Sequence, residues 1–513
     1  MNMPKTKNAL MIYPKYPDSF WSFKHVLKFV SKKAAFPPLG LLTISPMLPK
    51  EWNKKLIDLN IRELTDEQIK WADIILISAM IVQEESAKEV IKRCKAFGKT
   101  VIAGGPVFTT EHEKFSGVDH FVLNEGEITI PMFLRDFEKG TAKKIYTSEE
   151  RPNITKTPVP DWSLINLKDY VNMLVQYSRG CPFNCEFCDI IIMNGRIQRA
   201  KTPEQIIKEI QSLYNLGWRD SIFIVDDNFI GNTENVKKML PHLIKWQKEH
   251  GYPFKFTTEA SLNLADDEEL MQMMSKANFA KVFLGIETPS LNSLKECGKF
   301  QNTQRNLAES VKKIHKNGLQ VMGGFIVGFD NDTEKIFESQ IKFIQEVGIV
   351  TAMVGVLTAL PKTRLWHRLK AEGRLLKDSS GGNTDGIINF TPKMGMEKLS
   401  RGYKKIIATI YSPKHYFKRI NTFLKNYNPK VKNKMKLSIH LLLAFFKSMW
   451  SIGIVSKARF YYWKLLIKTL FTKIRVFPLA VEHAICWKHF SIVAQQTVER
   501  EDYPIQEIAE PVL

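Results

Sequence analysis

"SRGCPFNCEFCDI", residues 178–190, places Cys181, Cys185 and Cys188 within eight positions of a chain that holds six cysteines in all. The spacing is Cys-x3-Cys-x2-Cys. A closed zinc site wants four ligands, usually as two pairs at a fixed separation. No Cys or His pair follows at that separation, and Cys94, Cys297 and Cys486 stand alone. Three thiolates do suit a four-iron cluster that keeps one iron free of protein, much as a catalytic metal keeps an open position.

The cysteines follow an apolar run, "VNMLVQYS" (171–178), and further runs come at 221–227, 254–260, 281–288, 320–329 and 350–360 with helical patterns between them. Six βα units in a row predict a partial (β/α)6 barrel rather than a full eightfold one. The cysteine loop then lies at the C-terminal mouth, where barrel active sites are built. Asp226, Asp227, Glu259, Ser261, Glu287 and the glycines of "GGFIVGF", including Gly324 and Gly328, converge on the same mouth. Cys297, in the polar "KECGK", reads as a loop residue without a role.

Upstream, strands predicted at 8–14, 54–60, 73–79, 100–105 and 120–126 alternate with helical stretches, as in a doubly wound, Rossmann-like domain. Ligands of such sheets bind beyond the strands' C-terminal ends. Those ends carry Ser78, Gly104 and Gly105, and Asn124, Glu125 and Gly126. His112 and His120 lie nearby, but single histidines are more often packed or exposed side chains than ligands. The proline-rich stretch within 151–169 reads as a linker. The expected organisation is a Rossmann-like domain over 1–150, a barrel over 170–375 and a helical region over 376–513.

Together the motifs resemble the radical S-adenosylmethionine (SAM) family, known by Cys-x3-Cys-x-aromatic-Cys after the first strand of a partial barrel. Here Phe187 is the aromatic residue. The resemblance implies a [4Fe-4S] cluster on Cys181, Cys185 and Cys188 whose open iron holds the amino and carboxylate groups of SAM, and a reductive cleavage that yields a 5′-deoxyadenosyl radical. It further implies SAM contacts from Phe187, Asp226, Asp227, Glu259, Ser261, Glu287, Gly324 and Gly328, with Glu287 towards the ribose and the glycine-rich strand towards the adenine. A Rossmann-like domain ahead of the barrel is similar to that of the cobalamin-binding subgroup, which implies cobalamin near Ser78, Gly104, Gly105, Asn124, Glu125 and Gly126. The subgroup's Asp-x-His-x-x-Gly motif is missing, since the first strand runs into "YPKYPDSFW".

Net charge is +21, yet the segment from Lys398 to Val481 has 19 Lys and Arg and no acid, which leaves about +2 for the rest. "HLLLAFFKSMW" and "ARFYYWKLLIKTLF" mix aromatics with cations at helical spacing, and Lys447, Lys457 and Lys464 break the apolar runs short of a bilayer's span. The pattern predicts helices on an anionic membrane surface, or alternatively helices that cap the barrel. Nucleic acid is not an expected partner, because no RNA-binding module accompanies the charge. Sparse cysteines and no apolar leader predict a reducing cytoplasm, with the protein peripheral on the inner face of the cell membrane. "VDDNFIGN", "TEASLNLA", "GIETP" and "ALPKT" resemble the hopanoid C-2 methylase group, which implies methylation of an unactivated carbon of a hydrophobic, lipid substrate with an external one-electron reductant. Lipid ring closure or carbon–carbon coupling without methyl transfer is the alternative within the same chemistry.

Overall fold

The computed structural model describes residues 6–382, 384–430 and 439–500. The ends of the first and last predicted regions, and Lys432, Lys434 and Lys436 of the acid-free segment, lie outside them.

Two parallel sheets carry the first two-thirds of the chain. The first contains β1 (Asn8–Tyr13), β2 (Asn53–Asp58), β3 (Ile74–Ser78), β4 (Thr100–Gly104), β5 (His120–Val122) and β6 (Ile145–Tyr146) in the order β2-β1-β3-β4-β5-β6. Leu10, Met11 and Ile12 of β1 are fully buried, as near-continuous apolar strands must be when helices cover both faces. All five predicted strands are present. The two-residue β6 was not foreseen, being too short to show a period.

The second sheet contains β7 (Met173–Val175), β10 (Ser221–Ile224), β11 (Lys255–Ala260), β12 (Phe279–Glu287), β13 (Gln320–Val327) and β14 (Ala352–Val356) in consecutive parallel order. It begins at β7 and ends at β14 without pairing them, so the barrel stays open. Between β7 and β10 a small antiparallel hairpin, β8 (Ser178–Arg179) with β9 (Arg199–Ala200), closes the loop that contains the three cysteines.

Behind the barrel, helices Met396–Ile410 and Pro413–Asn426 pack on the barrel helix Lys335–Val347. Helix Phe477–Glu499 seals them, and the ring of Phe490 stacks on Phe20 at 4.5 Å, which ties both chain ends together. The helical tail is therefore partly a cap, as one of the two expectations had it. Its pivot is Arg419, fully buried, which donates to the carbonyls of Ile410 (2.8 Å) and Val350 (3.2 Å) with its guanidinium 5.1 Å from the Tyr416 ring. Arg419→Ala leaves a cavity and two orphaned carbonyls, an expected loss of about 3–5 kcal/mol. A drop of several degrees in apparent melting temperature checks this, and an unchanged melt refutes it.

Candidate active site

The cysteine loop is held from four sides. Gly180 has φ 98°, and a Cβ there would lie 2.9–3.2 Å from three carbonyl oxygens of residues 194–197, so the turn into Cys181 needs glycine. The Cys181 amide donates to Gly195 O (3.2 Å), that of Glu186 to Cys297 O (2.9 Å), and that of Leu365 to Glu186 O (3.0 Å). Arg368 bridges the carboxylates of Glu186 (2.7 Å) and Asp330 (2.9 Å), so the loop is also braced electrostatically.

All six cysteines are free thiols. Burial pushes the thiols of Cys185 and Cys188 up, the expected state of apolar-lined sulfurs without a metal. Among the described residues no three His, Cys, Asp or Glu side chains converge as they would on one ion. Three thiols spread over one loop suit the wider frame of an iron–sulfur cube, whose chemistry asks for sulfur donors alone.

Beside the loop lies an acidic group. Asp226 is buried and accepts from the Tyr177 amide (2.7 Å) and from the Ser178 hydroxyl. Asp227 accepts from the Gly180 amide (3.1 Å) and Asn194 Nδ2 (2.9 Å). Both carboxyls thus hold the approach to Cys181, and burial pushes Asp226 up to about 7. Ser261 exchanges hydrogen bonds with Asn228, whose amide nitrogen lies 3.8 Å from Cys181 Sγ. Glu259 differs: its carboxyl has no hydrogen bond or ion pair among the described residues. Burial, then the charges of Asp227 and Asp226, push it up to about 8.

Glu287 ends β12 after a register shift, and its φ of 65° is left-handed, rare for a residue with a side chain and a form of strain that clusters at functional sites. Its Oε1 accepts from Lys299 Nζ at 2.7 Å, with the Glu287 side chain buried and that of Lys299 nearly so. Burial opposes the lysine's charge, but Glu287 and then Cys185 outweigh it and hold the ammonium well above the usual lysine range. Lys299 ends the "ECGK" turn, where a Cβ on Gly298 would lie 3.0 Å from Asn184 O. The turn therefore presses on the cysteine loop. Cys297 is buried at a helix end instead of lying in an open loop, and its thiol donates to Leu294 O at 3.5 Å. Phe187 lies 6.3 Å from Phe329, next to Gly328. The space beside Gly324 is taken by the Phe283 ring and that beside Gly328 by Leu399.

Ser78, Gly104, Gly105, Asn124, Glu125 and Gly126 all line one cavity of about 310 Å³ between the two sheets. Leu39, Ile44, Met47 and Ile130 give it apolar walls, and Gln176, Arg179 and Lys201 close it from the barrel side. An apolar slot under polar strand ends suits a large flat ligand with an amide-rich rim. His112 and His120 are absent from its lining.

The two sheets are joined there by a clamp. Arg179, two residues before Cys181, donates to Glu125 (2.7 Å) and Glu127 (2.8 Å), and Arg199 donates to Glu125 at 2.9 Å. Burial pushes Glu127 up, but Arg179 outweighs it and leaves the carboxyl below its ordinary range. Glu125 is thus a bridge between domains as well as a wall of the cavity. Arg179, Arg199 and Lys299 were not foreseen. Arg179 stands inside the quoted motif, yet its partners are 52 and 54 residues away.

Fold and site together define a radical SAM enzyme with a cobalamin-binding domain. Residues 175–344 match the radical SAM superfamily model, residues 30–134 the B12 binding domain, and residues 363–502 a domain of unknown function. An uncharacterised methyltransferase of Synechocystis sp. is 45% identical over 93% of this chain and 89% of its own length. The hopanoid C-2 methylase of Rhodopseudomonas palustris is 34% identical over 91% of this chain and 90% of its own. Among solved structures, the cobalamin-dependent S-adenosylmethionine radical enzyme OxsB with aqua-cobalamin and S-adenosylmethionine bound shares the fold with a TM-score of 0.63 at 14% identity, covering 96% of this chain and 80% of that one. The chain belongs to the family of cobalamin-dependent radical SAM methyltransferases. Its cofactors are a [4Fe-4S] cluster, SAM and cobalamin, and it needs an external one-electron reductant.

Proposed function

We propose that this methyltransferase replaces a hydrogen on an unactivated carbon of a hydrophobic, hopanoid-like lipid with a methyl group taken from SAM, as a cytoplasmic enzyme peripheral to the inner face of the cell membrane. The observation that carries the substrate class is the 34% identity with the hopanoid C-2 methylase over nearly the whole of both chains. When bound, the cluster with SAM supplies a carbon-centred radical and cobalamin supplies the methyl carrier.

The chain's own residues position these parts. Cys181, Cys185 and Cys188 are the ligands, and Asp226, Asp227 and Ser261 keep their loop in place beside SAM. Glu259, a carboxyl without a partner, would receive the SAM ammonium, which would relieve the cost of its burial. Glu287 would accept the ribose hydroxyls with the oxygen that Lys299 leaves free. Phe187, the β13 backbone at Gly324 and the backbone of Gly328 just beyond β13 would border the adenine. Ser78, Gly104, Gly105, Asn124, Glu125 and Gly126 would hold cobalamin in the interdomain cavity, close to the cysteine loop because Arg179 clamps the two together.

Lys299→Met removes the partner that fixes Glu287 and a cation beside the cysteine loop. The expected cost is a ~10- to 100-fold loss in 5′-deoxyadenosine formation, with a raised KM for SAM and partial rescue by Lys299→Arg. Wild-type kinetics in the Met variant would refute the role. For the function itself, lipids from cells with and without the gene are compared by mass spectrometry. A lipid heavier by one CH2 only in cells with the gene supports the reading, whereas a methylated product that is water-soluble and polar overturns it.

A further inference from the structure

Eighteen large apolar side chains are exposed among the described residues, and twelve of them fall between Leu441 and Ile474. Three consecutive elements supply ten of them, helix Ile439–Ser448, the π-helical turn Met449–Ile454 and helix Arg459–Thr472, and Val455 and Ile474 lie just beyond the second and third. These pack on helix Phe477–Glu499 through one side, where Ile452, Tyr462, Leu465 and Leu466 are buried. Trp450 is 65%, Phe460 67% and Phe471 82% exposed, and Val455, Ile467 and Ile474 are exposed as well.

Cations are interleaved with this face. Lys457, Arg459, Lys464, Lys468 and Arg475 have no ion pair among the described residues, and the sequence offers no acid from 398 to 481 to pair with them. Exposed apolar side chains concentrated in this way need a partner, and their chemistry narrows the choice. A second copy would oppose cation to cation. RNA would satisfy the charges and stack on the aromatics, but gives no apolar medium to Val455, Ile467 and Ile474. No described helix is long and apolar enough to cross a membrane. A bilayer surface meets both needs, hydrocarbon at the depth of the aliphatic side chains and phosphates at the depth of the cations.

We propose that the 441–474 face docks on an anionic lipid bilayer, with Trp450, Phe460 and Phe471 inserted at the headgroup–acyl boundary and Lys457, Lys464 and Lys468 on lipid phosphates. This rests on the peripheral-membrane reading above and gives that reading its residues. The acid-free charge then has a purpose that the barrel's chemistry does not supply.

The test is co-sedimentation of the full-length holoenzyme with phosphatidylcholine vesicles, with and without phosphatidylglycerol. Binding should require the anionic lipid and fall steeply with salt. Each lysine near such a surface is worth about 1 kcal/mol, so K457E/K464E/K468E should bind at least ~100-fold more weakly. W450S/F460S/F471S should lose binding to a similar degree, and both variants should cleave SAM at the wild-type rate, which verifies their fold. Wild-type sedimentation of both variants overturns the proposal. So does a face that instead buries itself in dimers by light scattering, or RNA that displaces the vesicles. Vesicle binding without any methylated lipid refutes the substrate and leaves the docking face standing, while a methylated lipid without vesicle binding does the reverse.

Discussion

Replacing Cys181, Cys185 or Cys188 by alanine is expected to reduce SAM cleavage to background. Three thiols are the minimum that holds a four-iron cluster with one open iron, so losing any one opens a second iron to solvent and removes a third of the anchoring. No neighbour is poised to substitute. Cys297 is the nearest candidate in the fold, since its carbonyl accepts the Glu186 amide, but its thiol donates to Leu294 O at 3.5 Å, within its own helix. Cys297→Ser should therefore keep iron, sulfide and cleavage, which makes it the natural contrast. Iron and sulfide content, the electron paramagnetic resonance signal of the reduced protein and 5′-deoxyadenosine yield are the measurements. A Cys185→Ala protein that still cleaves SAM would remove these residues from the ligand set.

What the sequence reveals and what it hides divide along chain distance. The apolar runs of β1 to β5 and the barrel strands announce themselves because burial on both faces leaves only apolar choices. The cysteine motif is equally plain, since all its spacing is local. Lys299 is not. Gly298 marks a helix end, but nothing nearby says that the lysine after it turns back to Glu287, 12 residues earlier at the end of β12. The Glu125–Arg199 bridge spans 74 residues and two domains, and only the docking of one sheet on the other creates it. In the tail, helical spacing predicts amphipathic segments but not which face is covered. Tyr462 and Phe460 are both aromatic and two residues apart, yet one is fully buried and the other is 67% exposed.

On the proposed assignment of the sites, that docking also makes the two cofactor sites depend on each other. Arg179 is at once the residue before Gly180, which shapes the turn into Cys181, and the cation that grips Glu125 and Glu127 on the other sheet. A shift of one domain would pull on the cluster loop directly. The missing Asp-x-His-x-x-Gly motif does not contradict a cobalamin site, because the cavity's own lining, apolar walls under strand-end glycines, provides the shape.

Gly105→Val should consequently separate the two halves of the chemistry. Gly105 has φ 96° and ψ −178°, a region open essentially to glycine alone, and a Cβ would stand 2.5 Å from Ser78 Oγ and 3.3 Å from Ala79 N. Any side chain there must shift the ends of β3 and β4, whose residues line the cavity. The expected result is a protein purified without cobalamin absorbance that retains its cluster and still produces 5′-deoxyadenosine, but no methylated product. A local misfold of the sheet would mimic the first outcome, so Leu39→Trp is the companion: it fills the same cavity from helix Leu39–Ile44 and leaves the sheet's backbone alone. Loss of cobalamin in both, with SAM cleavage intact in both, assigns the cavity to cobalamin. Cobalamin retained at wild-type occupancy by Leu39→Trp would mean that the cavity is not where it binds, and that the glycines at 104 and 105 serve only the turn out of β4.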